Sequence, residues 1–157
     1  RVDRRQRQMC IRDRLTSGFF YAMVKKIEHI GIAVNSIEES SKVYETLFQS
    51  NFYKEERVES EGVRTAFIQV GDSKIELLEA TNSDSPIAKF LDKGKEGFHH
   101  IAFEVDDIDL ELERLQKEGF QLIHVTAKEG ADNKRIAFLH PKSTTGMLIE
   151  LCQENIG

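Results

Sequence analysis

The sequence predicts an α+β protein in which two tandem β-α-β-β-β modules form one curved mixed sheet around a concave metal site. The first observation is an internal repeat, since Glu28–Val34 and His99–Val105 both place a histidine at the start of an apolar run. The second observation is that each segment lies upstream of a strand with a central glutamate, Lys74–Glu79 and Leu148–Gln153. The third is the nearly constant spacing between the repeated polar residues. Both copies of the module carry a histidine and a glutamate within otherwise apolar strands. The repeat therefore predicts that these polar residues meet at one pseudo-symmetric centre.

The first module begins with a strand and a capped helix. Alternation over Ile27–Val34 predicts a strand with Ile30 on one face and His29 on the other. Ser36 followed by Glu39 forms a capping box, which predicts a helix to about Phe48 with Ile37, Tyr44, Leu47 and Phe48 on its apolar face.

A hairpin and a short helix complete this half of the chain. Val63–Val70 and Ser73–Glu79 read as antiparallel strands, because Gly71-Asp72 between them is a strong turn pair. Ser85 followed by a proline predicts the start of a linker helix at about 85–93, which Gly94 can end.

The second module repeats the plan. His100–Val105 is predicted as a strand, and Asp106 or Asp107 caps a helix that Gly119 ends. Three further strands are predicted, namely Phe120–Thr126, Arg135–His140 and Met147–Cys152. The modules therefore cover about 26–80 and 97–153, and neither one-sided sheet closes a core alone. We expect a single domain over residues 23–157.

The first 22 residues differ in character from the rest. They hold six arginines and two aspartates, a balance of +4, which leaves −9 on the remainder to give the net −5. They share no periodicity with the later sequence and have few serines, unlike a transit peptide. We interpret residues 1–22 as a non-native or disordered leader, with the natural start at Met23.

Composition excludes several classes of function. The acidic remainder argues against a nucleic-acid partner, and no apolar run approaches the length of a membrane span. Cys10 and Cys152 lie in dissimilar contexts, which argues against a ligand pair or a disulfide and indicates a reducing compartment. We predict a cytoplasmic protein.

The repeated histidines and glutamates predict a metal centre. Strand alternation directs Glu76 and Glu150 away from the helix-packed face, as it does His29 and His100. An inward carboxylate without a partner is costly to bury, and a cation removes that cost. Each residue taken alone could also be a hydrogen-bonded core residue or a solvated edge residue. The joint repetition of both residue types favours a site for one divalent ion. The ligands would accept Co²⁺, Mn²⁺, Ni²⁺ or Zn²⁺.

The other three histidines receive different predictions. His99 has the opposite strand parity to His100, or lies just before the strand, so we expect it to support the site or the fold. His124 and His140 have no counterpart in the first module, and surface or loop positions are expected for both.

Two segments resemble a known family. Gly97–Ile108 and Lys134–Ser143, the latter with a His-Pro-Lys-Ser loop before Gly146–Leu151, are similar to methylmalonyl-CoA epimerases of the vicinal-oxygen-chelate superfamily. The resemblance runs from about Lys26 to Gln153. It implies a glyoxalase-like fold, a homodimer, a CoA thioester substrate and metal-dependent epimerisation at C2 through an enolate.

The resemblance also assigns site residues. The family's metal ligands fall on His29, Glu76, His100 and Glu150, where Glu76 replaces the glutamine of some members. Some epimerases carry a glutamate base where this chain has Thr65, which cannot serve. Pseudo-symmetry places Glu76 and Glu150 across the metal from each other, so we expect one of them to act as the base on each face. The alternative is that Glu150 works with water or another side chain while Glu76 only binds the metal.

A compact basic and hydroxyl cluster is the candidate for the coenzyme end of the substrate. Its members are Lys134, Arg135, Lys142 and Ser143, whose side chains suit phosphate or carboxylate groups. A solvated surface turn is nearly as good an explanation for any one of them.

Two other functions are compatible with the pattern. A lactoylglutathione lyase of the glyoxalase I type also uses two histidines and two glutamates, but the His-Pro-Lys-Ser loop favours the CoA thioester. A non-catalytic, ligand-sequestering protein of the same fold has no need of four metal ligands. An extradiol dioxygenase fits less well, because it needs two histidines and one carboxylate within one module.

Overall fold

The computed structural model describes residues 24–155, and the predicted leader lies outside this range. Between residues 24 and 155, eight strands form one sheet. Their bounds are β1 Val24–Ala33, β2 Lys54–Val58, β3 Val63–Val70, β4 Ser73–Ala80, β5 Gly97–Val105, β6 Lys128–Glu129, β7 Lys134–Leu139 and β8 Ile149–Glu154. The described part of the chain also contains three α-helices that pack against the sheet, α1 Ile37–Phe48, α2 Pro86–Lys93 and α3 Ile108–Lys117.

The sheet order reveals the duplication. It runs β2-β3-β4-β1-β5-β8-β7-β6, so the two modules meet where β1 pairs antiparallel with β5. On either side of this junction the next pairing is parallel, β1 with β4 and β5 with β8. The α+β fold of two tandem modules in one mixed sheet, predicted from the repeat, is confirmed.

Helix boundaries follow the capping residues. The Ser36 hydroxyl accepts the N–H of Glu39 at 3.3 Å and begins α1, and the Ser85 hydroxyl accepts the N–H of Ile87 at 3.1 Å and begins α2. Asp107 caps α3 by accepting the N–H of Leu110 at 3.0 Å. Each bond satisfies a backbone donor that a helix start leaves unpaired.

Apolar side chains fill the space between helices α1 and α3 and the convex face of the sheet. In the first module Ile37 of α1 packs with Ala66 and Leu77, and in the second Leu112 of α3 packs with Ala137 and Leu151. Because these residues take the helix side of their strands, the alternate residues of β3, β4, β7 and β8 face the concave side.

Two local predictions are wrong. Phe120–Thr126 forms no strand; the N–H groups of Ile123 and His124 both donate to the carbonyl of Phe138, so the ladder stops after one bridge. The third strand of that module is instead the two-residue β6. Leu47 was expected on the apolar face of α1, but its side chain is 66% exposed.

Candidate metal centre and active-site cavity

The concave side of the sheet encloses a cavity of about 270 Å³. Both modules line it, through side chains that include Phe67 and Leu78 from the first and Ile136 and Phe138 from the second. The walls are mainly apolar, and the polar groups are concentrated on the central strands. Such a combination is typical of a small-molecule site.

Four neighbouring strands position the repeated residues. Gly31 on β1 is opposite both Glu76 on β4 and His100 on β5, and Ala102 on β5 is opposite Glu150 on β8. The central four strands therefore deliver two imidazoles and two carboxylates to one place. All four side chains are buried, with residue exposures of 2–6%.

The four side chains converge within contact distance. The Nε2 atoms of His29 and His100 are 3.0 Å apart. Glu76 Oε2 lies 3.2 Å from the first and 3.5 Å from the second. Glu150 lies 4.0 Å from His29 Nε2 and 3.4 Å from His100 Nε2. The structure thus brings together every residue that the sequence predicted as a ligand.

The donor set fits a divalent cation. Donor atoms of His29, His100 and Glu150 all lie within 4.8 Å of one another, and Glu76 contacts both histidines. Atoms bound to one ion at about 2.1 Å are separated by roughly 3 to 4 Å. Carboxylates offer only acceptors, so a ring of nitrogen and oxygen lone pairs at these separations suits a shared cation.

Burial and mutual contacts shift the pKa values of Glu76, Glu150 and His29 in different directions. Burial raises the pKa of Glu76, but its contacts with the two histidines hold that pKa far below its usual range. Burial and the nearby Glu76 carboxylate leave the pKa of Glu150 above its ordinary value, despite the histidines. Burial lowers the pKa of His29, yet Glu76 and Glu28 raise it well above normal. The centre therefore favours added positive charge.

Two β-bulges bring an additional side chain to each histidine. In the β1–β5 ladder Ile27 pairs with Phe103 and His29 with Ala102, so Glu28 has no partner across the ladder. Gly31 pairs with His100 and Ile32 with Phe98, so His99 is likewise passed over. A bulge interrupts strand alternation, which allows successive side chains to face the cavity.

Each bulged residue contacts the second ring nitrogen of the histidine that follows it. Glu28 Oε2 lies 2.5 Å from His29 Nδ1, and His99 Nδ1 lies 2.9 Å from His100 Nδ1. Burial and the adjacent His100 lower the pKa of His99 to about 4, which keeps its ring neutral near pH 7. The sequence patterns did not identify Glu28 as a site residue. The only indication was that Glu28 occupies the position in the first repeat that His99 occupies in the second.

Glycine is required beneath His100. A Cβ added at Gly31 would lie 2.2 Å from Cε1 and 2.4 Å from Nδ1 of the His100 ring. The ring therefore lies directly over the β1 backbone, and any side chain at this position would displace it.

Thr65 lies on the cavity wall. It is 2% exposed on β3, and its hydroxyl has no hydrogen-bond partner among the described residues. The residue that stands where some epimerases carry a glutamate therefore contributes a small polar group and no charge.

The predicted substrate-binding cluster is divided by the structure. Lys134 lines the cavity, is 4% exposed and forms ion pairs with Glu28 and Glu154. Arg135 points to the opposite face of β7, where it makes a two-pronged ion pair with Asp109 at 2.8 Å. Only the lysine is therefore brought to the cavity.

Lys142 and Ser143 lie on the short helical turn that follows β7 and do not line the cavity. The Ser143 hydroxyl accepts the N–H of Gln121 and donates to the carbonyl of His140. His140 itself caps this turn, as its predicted loop role requires.

The structure adds rim residues that the sequence did not indicate. His124 was expected at the surface, but it lines the cavity and accepts the N–H of Phe138 at 3.2 Å. Glu61 and Lys128 form an ion pair that joins the two modules at the rim. No periodic signal marks these positions, because they lie in turns or at strand ends.

Sequence and structure comparisons agree on the class of protein. Residues 28–138 match the Glyoxalase/Bleomycin resistance protein/Dioxygenase superfamily. The uncharacterized protein YqjC of Bacillus subtilis is 41% identical over 130 residues, which cover 83% of this chain and 93% of that protein. The mitochondrial methylmalonyl-CoA epimerase of Dictyostelium discoideum is 39% identical over 129 residues, covering 82% of this chain and 78% of that protein.

A solved structure indicates which family of this superfamily the chain resembles. A variant of Streptomyces coelicolor methylmalonyl-CoA epimerase in complex with 2-nitronate-propionyl-CoA superposes with a TM-score of 0.82. It is 33% identical to this chain, and the match covers 85% of this chain and 97% of that one. The chain therefore belongs to the methylmalonyl-CoA epimerase family of the glyoxalase superfamily.

Proposed function

We propose that this chain interconverts the R and S forms of methylmalonyl-CoA by moving a proton at C2. The observation that carries the proposal is the convergence of His29, Glu76, His100 and Glu150 in a buried cavity of a chain from this family. The family relationship favours this reaction over the lactoylglutathione lyase and the ligand-sequestering alternatives.

The residues present can hold the metal that the superfamily implies. His29 and His100 would supply nitrogen ligands, and Glu76 and Glu150 would supply oxygen ligands. A divalent ion bound there provides a Lewis acid that stabilises the negative charge developing on the substrate oxygens, by several kcal/mol. The largely apolar cavity wall lowers the local dielectric, which strengthens that stabilisation.

The proton transfers are assigned to the two carboxylates. Removal of the C2 proton and its return to the opposite face require groups on both sides of a planar intermediate. Glu76 and Glu150 come from opposite modules, on strands β4 and β8 that flank the central β1–β5 pair. We assign one carboxylate to each face, because Thr65 cannot accept a proton in this role.

Isotope exchange tests the assignment. Methylmalonyl-CoA of each configuration is incubated in D₂O with metal-loaded wild type, Glu76→Gln and Glu150→Gln, and deuterium at C2 is measured by mass spectrometry. We expect each variant to lose exchange preferentially from one enantiomer. Equal loss from both would contradict the two-base assignment, and absence of exchange with the wild type would refute the epimerase proposal.

Lys142 is the proposed contact for a CoA phosphate. It is exposed on the turn after β7, and no ion pair forms with it within residues 24–155. We expect Lys142→Met to raise the KM for methylmalonyl-CoA but not for a truncated thioester without the nucleotide. Arg135→Met is the matched control, because Asp109 holds that charge on the outer face. Equal effects of both variants on the full substrate would contradict the assignment.

We also propose a homodimer in the cytoplasm, the state and location expected from the family resemblance and the cysteine usage. No helix between residues 24 and 155 is long and apolar enough to cross a bilayer. Light scattering after size exclusion measures the mass directly, and a monomer at micromolar concentration would exclude the dimer.

A further inference from the structure

The carboxylate of Glu28 is held from two sides in the wall of the cavity. Its Oε2 atom lies 2.5 Å from His29 Nδ1, and its Oε1 atom lies 2.5 Å from Lys74 Nζ and 3.5 Å from Lys134 Nζ. The side chain is 2% exposed. Each oxygen therefore has its own partners, and the carboxylate is fixed in orientation as well as in charge.

The anchoring groups come from both modules. Lys74 lies on β4 of the first module and Lys134 on β7 of the second. Lys74 is in turn held by Asp132, whose carboxylate lies 2.6 Å from Lys74 Nζ and 3.1 Å from Lys54 Nζ. Among the described residues these lysines and Asp132 form no ion pair with the four convergent side chains, so the network reaches the centre through Glu28.

The contact with Glu28 determines which ring nitrogen of His29 has a lone pair available to bind a metal ion. A carboxylate at Nδ1 accepts the ring N–H, so the lone pair of a neutral His29 lies on Nε2, the atom that faces His100 and Glu76. Hydrogen bonds of this kind orient histidine ligands and increase their basicity in metal sites. In the second module the equivalent position holds the imidazole of His99 instead of a carboxylate, with its Nδ1 2.9 Å from His100 Nδ1.

We infer that Glu28 is a positioning residue for the metal, which acts by fixing the tautomer and orientation of His29 through a carboxylate braced by Lys74 and Lys134. The inference rests on the proposed function only in that a divalent ion binds between the two histidines. The two pseudo-symmetric histidines then have unequal roles, and His29 is the stronger metal ligand.

Titration of the metal-free protein with Co²⁺, followed by visible absorption, measures the affinity without reference to catalysis. We expect Glu28→Gln to raise the dissociation constant by about 10- to 100-fold, the range found when such supporting groups are removed. Glutamine keeps the size of the side chain but permits either tautomer of His29. Lys74→Met leaves Glu28 in place and should weaken binding less.

Glu111→Gln is the matched control. Glu111 is also a 2%-exposed glutamate in an ion pair, with Arg114 on α3, but it lies away from the cavity. We expect this variant to lower the melting temperature while leaving the Co²⁺ affinity unchanged. A Glu28→Gln affinity within twofold of the wild type would overturn the inference.

Nuclear magnetic resonance of the wild type provides a test that does not depend on a variant folding. In Zn²⁺-loaded protein with ¹⁵N-labelled histidine, we expect a His29 Nδ1–H resonance that exchanges slowly with water. A His29 ring protonated on Nε2 would refute the inference while leaving the epimerase proposal standing. Failure of the wild type to bind Co²⁺ or Zn²⁺ would instead refute the metal centre itself.

Discussion

Replacing Gly31 with alanine should disable the metal centre through a single methyl group. The added Cβ would lie 2.2, 2.4 and 2.7 Å from three atoms of the His100 ring, where ordinary contact begins near 3.4 Å. The ring would therefore have to move by about 1.2 Å. It has little room to do so, because the rings of Phe138 and His99 lie 5.5 and 5.2 Å away, centre to centre.

The displacement is large compared with the tolerance of a metal site. Ligand distances are held to about 0.2 Å, so a shift of this size removes His100 from coordination. Loss of a supporting residue costs up to about 100-fold in affinity, and loss of a direct ligand should cost more than that. Overpacking should also lower the free energy of unfolding by about 1–3 kcal/mol, without preventing folding.

Co²⁺ titration and thermal denaturation of the metal-free protein separate these two effects. Gly94→Ala is the matched control, since Gly94 has a φ of −156° and the nearest atom to an added Cβ is the Phe90 carbonyl oxygen at 3.9 Å. We expect normal Co²⁺ affinity in the control and weak or no binding in Gly31→Ala. Wild-type affinity in Gly31→Ala would refute the close packing of His100 on β1.

Four stability predictions follow from other contacts. Saturating metal at 100 times its dissociation constant should stabilise the fold by about 2.7 kcal/mol, which chelation should reverse in a melting experiment. Leu112→Ala removes a 3%-exposed core side chain and should cost about 2–5 kcal/mol by urea denaturation. Ser36→Ala removes the cap of α1 and should cost about 1 kcal/mol. Thr65→Val removes a buried hydroxyl without a partner among the described residues, so we expect about 1 kcal/mol of added stability in the same assay.

Sequence patterns were sufficient to predict the elements whose residues follow regular alternation or a local capping or turn pattern. The helix starts at Ser36 and Ser85 and the hairpin turn at Gly71-Asp72 rest on local bonds between nearby residues, so local patterns could identify them. The four converging side chains were also predictable, because each lies at a regular alternating position in a duplicated strand. The repeat identified them together.

Departures from regular alternation could not be predicted in the same way. The bulges at Glu28 and His99 depend on how β1 and β5 pair across the module junction, and their effect is to turn a second polar side chain toward the cavity. The failed strand at Phe120–Thr126 has a similar cause. Its apolar residues fit a strand, but two of its N–H groups converge on one carbonyl of β7. Tertiary pairing decides both outcomes.

The charges around the centre explain why a glutamate at position 76 is compatible with catalysis. Lys74 and Lys134 offset part of the negative charge of Glu28, and the remainder favours positive charge on His29. Glu76 and Glu150 would balance the charge of a bound divalent ion, and Thr65 adds no further charge. A neutral centre of this kind can still attract the carboxylate of a malonyl thioester, whereas a third carboxylate at position 65 would oppose it. Thr65→Glu should therefore weaken substrate binding here, and an unchanged KM in that variant would contradict this account of the charges.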